Sequence, residues 1–307
     1  MLSSSVMRRM ALALLFLVAA ALLLRVRSGG RQETMAGRYF PRKTAYFEIS
    51  RATETWKFRR LRNGWVLSEP FEYPADSAEI RALLVTAAAS RVSPPLVLSS
   101  ASASAFGIGE GDSVTAVFMD EVRAPLLRLS TGKEAEQPES FYWQDKAGDI
   151  RLAEDFPSAV LKRPFYDWLD RTAAFLPGGP DFVRLSCGSS SFTVEQSSAA
   201  WHLRGMRGEI ELSSAALAGF LPVFVPSLEA AALLPYQECF AMQEEFRLEV
   251  KPSGPALPYL FSIGQAEKGF RRARKAGEGR VCFLLPDEKL SSLLQMGGLV
   301  CGSPGKH

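Results

Sequence analysis

The chain has 307 residues, of which 47% are hydrophobic and 22% charged, and its formal net charge is +3. This balance is typical of a globular protein with a buried core, and it excludes a disordered chain, a collagen-like chain and a membrane protein with several spans. Residues 1–43 alone carry a net charge of +7, so the rest of the chain carries −4. A mildly acidic body argues against a nucleic-acid-binding groove. The two histidines, His202 and His307, are too few for His-rich metal sites or for ordinary catalytic triads.

The N-terminal region contains an apolar run, Met10–Leu24, with Arg8 and Arg9 before it and Arg25 and Arg27 after it. The run has fifteen residues without a polar side chain. A full span needs about 20 residues, but flanking arginines can extend a shorter one. We expect residues 1–30 to form a single-pass, uncleaved signal anchor. A cleaved signal peptide and a buried core helix are the alternatives that the pattern leaves open.

The arginines beside this run give conflicting indications of orientation. Arg25, Arg27 and Arg31 follow the run closely, whereas only Arg8 and Arg9 precede it, and under the positive-inside bias this excess would keep the body in the cytoplasm. A pair of arginines directly before a signal-like run at the extreme N-terminus is, however, the usual arrangement for export. We expect the body to lie outside the cytoplasm.

The rest of the chain contains an internal repeat with an offset of 136 to 137 residues. Each copy begins with three predicted strands, the third of which carries a Trp-x-Leu pattern at Trp65 or Trp201, and continues with an amphipathic helix. Ser213 or Ser214 is the predicted cap of the second helix. The strands are Thr44–Ile49, Thr55–Leu61, Gly64–Leu67, Phe182–Leu185, Ser191–Glu195 and Ala200–Leu203, and the apolar helix positions are Ile80, Leu83, Leu84, Ala87, Leu217, Phe220, Leu221 and Phe224.

Each copy continues with alternating strands, a Lys-Ala-Gly hairpin turn and a closing helix. The segments are Val114–Met119, Leu126–Ser130, Ile150–Leu152 and Pro157–Leu169 in the first copy, and Phe246–Val250, Tyr259–Ile263, Val281–Leu284 and Pro286–Leu294 in the second. The sequence therefore predicts an α+β fold of two tandem units, 44–177 and 180–300. Each is expected to be an antiparallel sheet with helices packed against it. Pro177–Pro180 is the predicted linker.

A series of aromatic, proline and glycine signals runs through the first unit in a characteristic order. The signals are Trp65–Leu67, Pro70, Ala75-Asp76, Ile80–Leu84, Phe106–Ile108, Leu127–Gly132, Phe141–Trp143 and Phe165–Arg171. In order and spacing they resemble a bacterial family known as domain of unknown function 4340, over residues 44–175 and more weakly over 180–300. The resemblance implies one N-terminal membrane segment and an association with ABC-type transport systems, including those of gliding motility. It implies no catalytic residues.

Three short motifs are compatible with chemistry, but their context favours structural roles. Ser130–Lys133 has the Ser-x-x-Lys spacing of penicillin-recognising enzymes, yet it ends a predicted strand instead of beginning a helix. Gly107–Gly111 is similar to a phosphate loop, yet a strand follows it, so we interpret it as a turn. Trp65 and Trp201 could stack on a glycan, but their equivalent positions before an amphipathic helix favour the core.

A basic run in the second unit is expected to lie opposite acidic residues in the sheet. It could contact anionic lipid or an acidic partner, or it could form cross-strand charge pairs on a solvated hairpin. His202 is expected to be exposed and is a poor metal ligand without a second usable histidine. The basic residues are Lys268, Arg271, Arg272, Arg274, Lys275 and Arg280, and the acidic residues are Glu244, Glu245 and Glu249.

All four cysteines, Cys187, Cys239, Cys282 and Cys301, lie in the second unit, and none forms a Cys-x-x-Cys pair. An even number in an exported protein permits disulfides, but four cysteines allow three pairings. Buried free thiols are an equally open alternative.

The sequence indicates no catalytic residue, no cofactor site and no metal site. We expect a non-enzymatic binding or scaffold protein, tethered to the inner (cytoplasmic) membrane with a periplasmic body. Its expected partners are the membrane and subunits of an ABC-type transport or export assembly, not nucleic acid. A protein that captures a solute or a glycan is the first alternative, and an envelope hydrolase with two carboxylates is the second.

Overall fold

The computed structural model describes residues 34–36, 40–52, 54–96, 103–109, 111, 113–136, 139–156, 158–197, 200–205, 208–224 and 227–299. The predicted signal anchor at 1–30 and Cys301 lie outside these residues. The helices are α1 (Phe40–Lys43), α2 (Ser77–Ala89), α3 (Ser214–Phe220) and α4 (Asp287–Met296). The first ten strands are β1 (Tyr46–Arg51), β2 (Glu54–Leu61), β3 (Gly64–Glu69), β4 (Tyr73–Ala75), β5 (Arg91–Val92), β6 (Val114–Met119), β7 (Pro125–Glu134), β8 (Phe141–Gln144), β9 (Ile150–Glu154) and β10 (Thr172–Phe175). The others are β11 (Pro180–Cys187), β12 (Ser190–Ser197), β13 (Ala200–Gly205), β14 (Gly208–Glu211), β15 (Ser227–Glu229), β16 (Ala232–Pro235), β17 (Glu244–Pro252), β18 (Tyr259–Glu267), β19 (Phe270–Lys275) and β20 (Val281–Pro286).

The predicted α+β class is wrong, because the chain is mostly β. Among the described residues, strands make up 49% and helices 20%, and two large antiparallel sheets of nine strands each dominate the structure. Prolines explain why predicted helices are short, since proline lacks the backbone N–H that a continuing helix needs. Pro222 lies two residues after the end of α3, and Pro164 separates the predicted closing helix of the first copy into the 3-10 turns Ser158–Val160 and Phe165–Trp168.

The described residues fall into two compact units. Unit 1 consists of the described residues up to Glu72 together with Ser77–Arg163. Unit 2 consists of Tyr73–Asp76 and the described residues from Pro164 onward. The division between Arg163 and Pro164 differs from the linker expected at Pro177–Pro180, and the unit bounds 44–177 and 180–300 stay a prediction.

Eight of the nine strands of the first sheet belong to unit 1 and lie in the order β3-β2-β1-β6-β7-β8-β9-β5, in which every neighbouring pair is antiparallel. Phe47 of β1 pairs with Phe58 of β2 and with Phe118 of β6, so the three rings share one face of the sheet. The Phe47 ring stacks on the other two at centroid distances of 4.7 and 5.3 Å. The predicted helix stripe Ile80–Ala87 is confirmed, because its four apolar side chains are buried. Trp65 donates its backbone N–H to the Ser77 hydroxyl in the first turn of α2.

In unit 2 the order is β14-β13-β12-β11-β17-β18-β19-β20-β16. From β13 to β16 this order matches that of unit 1 strand for strand, with β11 in the place of β1 and β17 in the place of β6. A separate two-stranded sheet joins β10 and β15. The predicted cap of the second amphipathic helix is confirmed, since the Ser213 hydroxyl accepts a hydrogen bond from the backbone N–H of Ala216.

Candidate functional site

One face of the unit 2 sheet is polar and carries a cleft. Along β17, Phe246, Leu248 and Val250 are buried, so Arg247 and Glu249 between them point to the opposite face. An open cavity of about 850 Å³ lies over that face. We call it the unit 2 cleft, and its lining includes Arg184, Ser186, Arg247, Glu249, Ser262 and Arg274.

Strand pairing sets the spacing of the polar side chains in this cleft. Ser186 of β11 pairs with Arg247 of β17, Arg247 pairs with Ser262 of β18, and Ser262 pairs with Arg274 of β19. Direct cross-strand partners share a face, and neighbouring strands are about 4.8 Å apart. The backbones of Arg247 and Arg274 are therefore about 10 Å apart, with the Ser262 hydroxyl between them.

Carboxylates stand beside two of these arginines. Arg247 Nε donates to Glu244 Oε1 at 2.7 Å, and Arg184 Nη1 lies 3.5 Å from Glu249 Oε2. The side chain of Arg247 remains 72% exposed. A guanidinium group has more N–H donors than one carboxylate oxygen can accept, so such a pair leaves N–H groups for a further acceptor.

The surroundings of two charged groups in the cleft, Glu244 and Lys275, shift their pKa values. Burial alone would raise the pKa of the Glu244 carboxyl, but hydrogen bonds from Ser262 and Arg247 and the charges of Arg247 and Arg274 together hold it below its usual value. Burial lowers the pKa of the Lys275 ammonium, whose Nζ donates to the Ala173 carbonyl at 2.8 Å. Glu244 is therefore a fixed negative acceptor at neutral pH.

The unit 2 cleft can bind a polar partner at several points, because charged donors and acceptors alternate along its floor. No sequence motif marks Arg184, Arg247 or Ser262 as a site residue. The alternation that predicts the strand Phe246–Val250 also indicates that Arg247 faces away from the core, but its alignment with Ser262 depends on the strand register.

The Ser-x-x-Lys motif lies inside β7, and this strand continues to Glu134 beyond its expected end at Ser130. The Ser130 hydroxyl is 3.0 Å from that of Thr115 on the neighbouring strand, which is an ordinary cross-strand contact. Gly132 is needed for packing, since a Cβ there would clash with the backbone carbonyl oxygens of Phe106 and Tyr142. The motif is part of a tightly packed strand.

Gly107 and Gly109 form a turn, as the sequence predicts. Both have positive φ angles, 70° and 80°, which the missing side chain permits. The predicted core positions of Trp65 and Trp201 are also confirmed, because each is only 8% exposed. Neither motif therefore offers a phosphate cradle or an exposed stacking platform.

The basic run of the second unit is mostly paired within unit 2. Arg271 is the exception to the expected solvated hairpin, since it is 7% exposed and binds Glu245 and Asp287. Lys275 lies 4.5 Å from the centroid of the Tyr259 ring, within cation–π range. The other pairs are Arg272 with Glu238 and Glu267, and Arg280 with Glu278.

His202 is half-buried, and its Nδ1 lies 3.2 Å from Glu209 Oε1. Within the described ranges, no group of three or more His, Cys, Asp or Glu side chains could hold a metal ion.

The structure shows one disulfide and one free thiol among the three described cysteines. Cys239 and Cys282 form a disulfide with a Cα–Cα distance of 5.7 Å, and both residues are fully buried. Cys187 is a half-buried free thiol. The bridge ties the 3-10 turn Tyr236–Cys239 to β20.

No helix among the described residues is long and apolar enough to cross a bilayer, and Met10–Leu24 lies outside those residues. Comparison of the chain with protein-family models, with curated proteins and with solved structures gives no match. The resemblance to domain of unknown function 4340 therefore stays a prediction.

Proposed function

We propose that the chain is a membrane-tethered, extracytoplasmic and non-enzymatic binding or scaffold protein, an auxiliary component of an ABC-type transport or export assembly. The unit 2 cleft carries this proposal, because it offers a broad sheet face with aligned arginines, serines and carboxylates. Such a face suits a polar surface of a partner protein, which it can contact at several points. A tether would keep the partner at a high effective concentration near the membrane.

Two observations support a place outside the cytoplasm. Met10–Leu24, with arginines directly before it, has the pattern of a signal anchor. The buried disulfide between Cys239 and Cys282 is of the kind that persists in oxidising compartments and is rare in the cytosol.

The charge state of Glu244 does not suit it to act as the proton donor of a hydrolase. A glycosidase needs a carboxylic acid whose pKa is raised, so that it can donate a proton to the leaving group. In the cleft the pKa of Glu244 is instead lowered, with hydrogen bonds from Ser262 and Arg247 among the causes.

A site-specific crosslink tests the cleft as the binding surface. Leu260 lines the cleft and is 47% exposed, so a photoreactive p-benzoylphenylalanine in its place should contact whatever occupies the cleft. In cells that express the full chain, we expect illumination to attach it to the permease subunits of a transport assembly. Mass spectrometry of the purified adduct identifies the partner.

Ile210 is the matched control, with 55% exposure on β14. Ile210 pairs with Leu203, which in turn pairs with the buried Val194. Ile210 therefore lies on the face of the sheet opposite the cleft. The same photoreactive residue at Ile210 should give no adduct with those subunits. An equal yield of transporter adduct at both positions, or a glycan or solute adduct at Leu260 alone, would reject the scaffold function.

A further inference from the structure

One end of the unit 1 sheet gathers three chain segments. Tyr46 begins β1 and pairs with Arg59 near the end of β2 and with Met119 at the end of β6. Helix α1, the turn between β2 and β3 and the turn between β6 and β7 therefore meet at the same end of the sheet. A surface cavity of about 460 Å³ lies among them.

This end is strongly basic. Four exposed basic side chains line the cavity, while Glu121 is the one acidic residue in its lining. Arg60 Nη1 donates to the carbonyl oxygen of Arg42 at 3.1 Å, which holds β2 and α1 together. The guanidinium of Arg123 lies 5.0 Å from the centroid of the Tyr46 ring. We call the set Arg42, Lys43, Arg60 and Arg62 the basic end.

Exposed aliphatic side chains accompany these charges. Leu61, between Arg60 and Arg62, is 45% exposed, and Val122, at the tip of the β6–β7 turn, is 83% exposed. Basic residues beside exposed aliphatic ones are typical of a surface that binds anionic lipid. The basic side chains attract the headgroups, and the aliphatic side chains enter the boundary with the acyl chains.

A tether at Met10–Leu24 would keep unit 1 within reach of the bilayer. Thr34 in unit 1 follows Leu24, the last residue of the apolar run, by ten residues. Ten extended residues reach at most about 35 Å. Six residues further along, α1 begins and carries Arg42 and Lys43. Thr34 and α1 are thus the described parts of the chain that lie nearest to the tether in sequence.

We propose that the basic end, with Leu61 and Val122, docks unit 1 on the anionic phospholipid surface of the membrane that holds Met10–Leu24. This inference rests on the membrane tether of the proposed function. Docking restricts the motion of unit 1 on its tether. Docking relies on charge attraction, so each basic side chain should raise the affinity for the membrane roughly fivefold, and salt should lower it.

The test uses the full chain in lipid nanodiscs with an environment-sensitive NBD label at Val122→Cys. Cys187→Ser and Cys301→Ser leave the disulfide intact and give a single labelling site. Discs contain phosphatidylcholine alone, or phosphatidylcholine with about a third phosphatidylglycerol. We expect NBD emission to shift to shorter wavelength in the anionic discs only, and high salt to reverse the shift.

Charge reversal tests whether the basic end is the surface that contacts the lipid. The variant R42E/K43E/R62E should lose the shift. The control R81E/R128E/K146E reverses three exposed basic residues elsewhere in unit 1 and should keep it. Equal emission in both kinds of disc, or a shift that survives R42E/K43E/R62E, would overturn the proposal.

The same sample distinguishes a failure of lipid docking from a failure of the membrane tether. A chain that purifies with the discs but shows no shift retains its tether, and only lipid docking is then wrong. A chain that does not purify with the discs has no tether, and both proposals fail.

Discussion

Replacing Arg271 with methionine should lower the free energy of unfolding by about 3–5 kcal/mol. Arg271 is buried in unit 2, where its Nη1 donates to Glu245 at 2.6 Å and to the Gly264 carbonyl at 3.1 Å. Its Nε donates to Asp287 in the first turn of α4. Removal of the guanidinium leaves two carboxylates of low exposure without their counter-ion, and that desolvation cost produces the loss of stability.

Urea unfolding of the full chain, followed by circular dichroism, measures this loss. The variant R184M is the control, because the pair of Arg184 with Glu249 is more exposed and should contribute less than about 1 kcal/mol. Addition of Glu245→Gln to R271M should recover part of the stability, since a buried neutral amide costs less than an unpaired carboxylate. A loss for R271M no larger than that for R184M would contradict the buried network.

The second large effect is expected from the disulfide. The variant C239A/C282A should lose about 4 kcal/mol, because the bridge closes a loop of 43 residues and so restricts the unfolded chain. Both sulfur atoms also belong to fully buried residues, so their removal leaves small voids next to β20.

Guanidinium unfolding of the wild-type chain with and without dithiothreitol compares the bridged and the reduced protein without mutation. Reduction should shift the midpoint to lower denaturant by nearly as much as C239A/C282A does. Cys187→Ala, which removes a thiol outside the bridge, should change stability by less than about 1 kcal/mol. Equal stabilities of C239A/C282A and C187A would show that the bridge does not form.

Local sequence patterns predict an element correctly where the segment itself determines its secondary structure. The stripe Ile80, Leu83, Leu84 and Ala87 predicts α2, and all four side chains are buried. The alternation in Val114–Met119 gives the bounds of β6 correctly. Hydrophobic periodicity of 3.6 or 2 is a property of neighbouring residues, so no knowledge of the rest of the chain is needed.

Features that depend on distant segments could not be predicted in this way. The edge strand β16 pairs with β20 about fifty residues later, and its short apolar segment Ala232–Pro235 has no distinctive period. The ion-pair partner of Arg271, Glu245, lies at a register shift between Glu244 and Phe246 in the β17–β18 pair. In the candidate site, the alignment of Arg247 with Ser262 likewise follows from register and not from composition. The apolar stripes predict helices that run past Pro164 and Pro222, whereas the missing N–H of proline ends them there.

The disulfide and the anchor together allow a direct test of a membrane-tethered body outside the cytoplasm. Cells that express the full chain are quenched with acid, and the membranes are washed with carbonate. Free thiols are then alkylated under denaturing conditions before mass spectrometry. We expect the chain in the carbonate-resistant fraction, with the peptides of Cys239 and Cys282 linked to each other. A chain in the soluble fraction, or one with Cys239 and Cys282 both alkylated, would contradict the tethered, extracytoplasmic body.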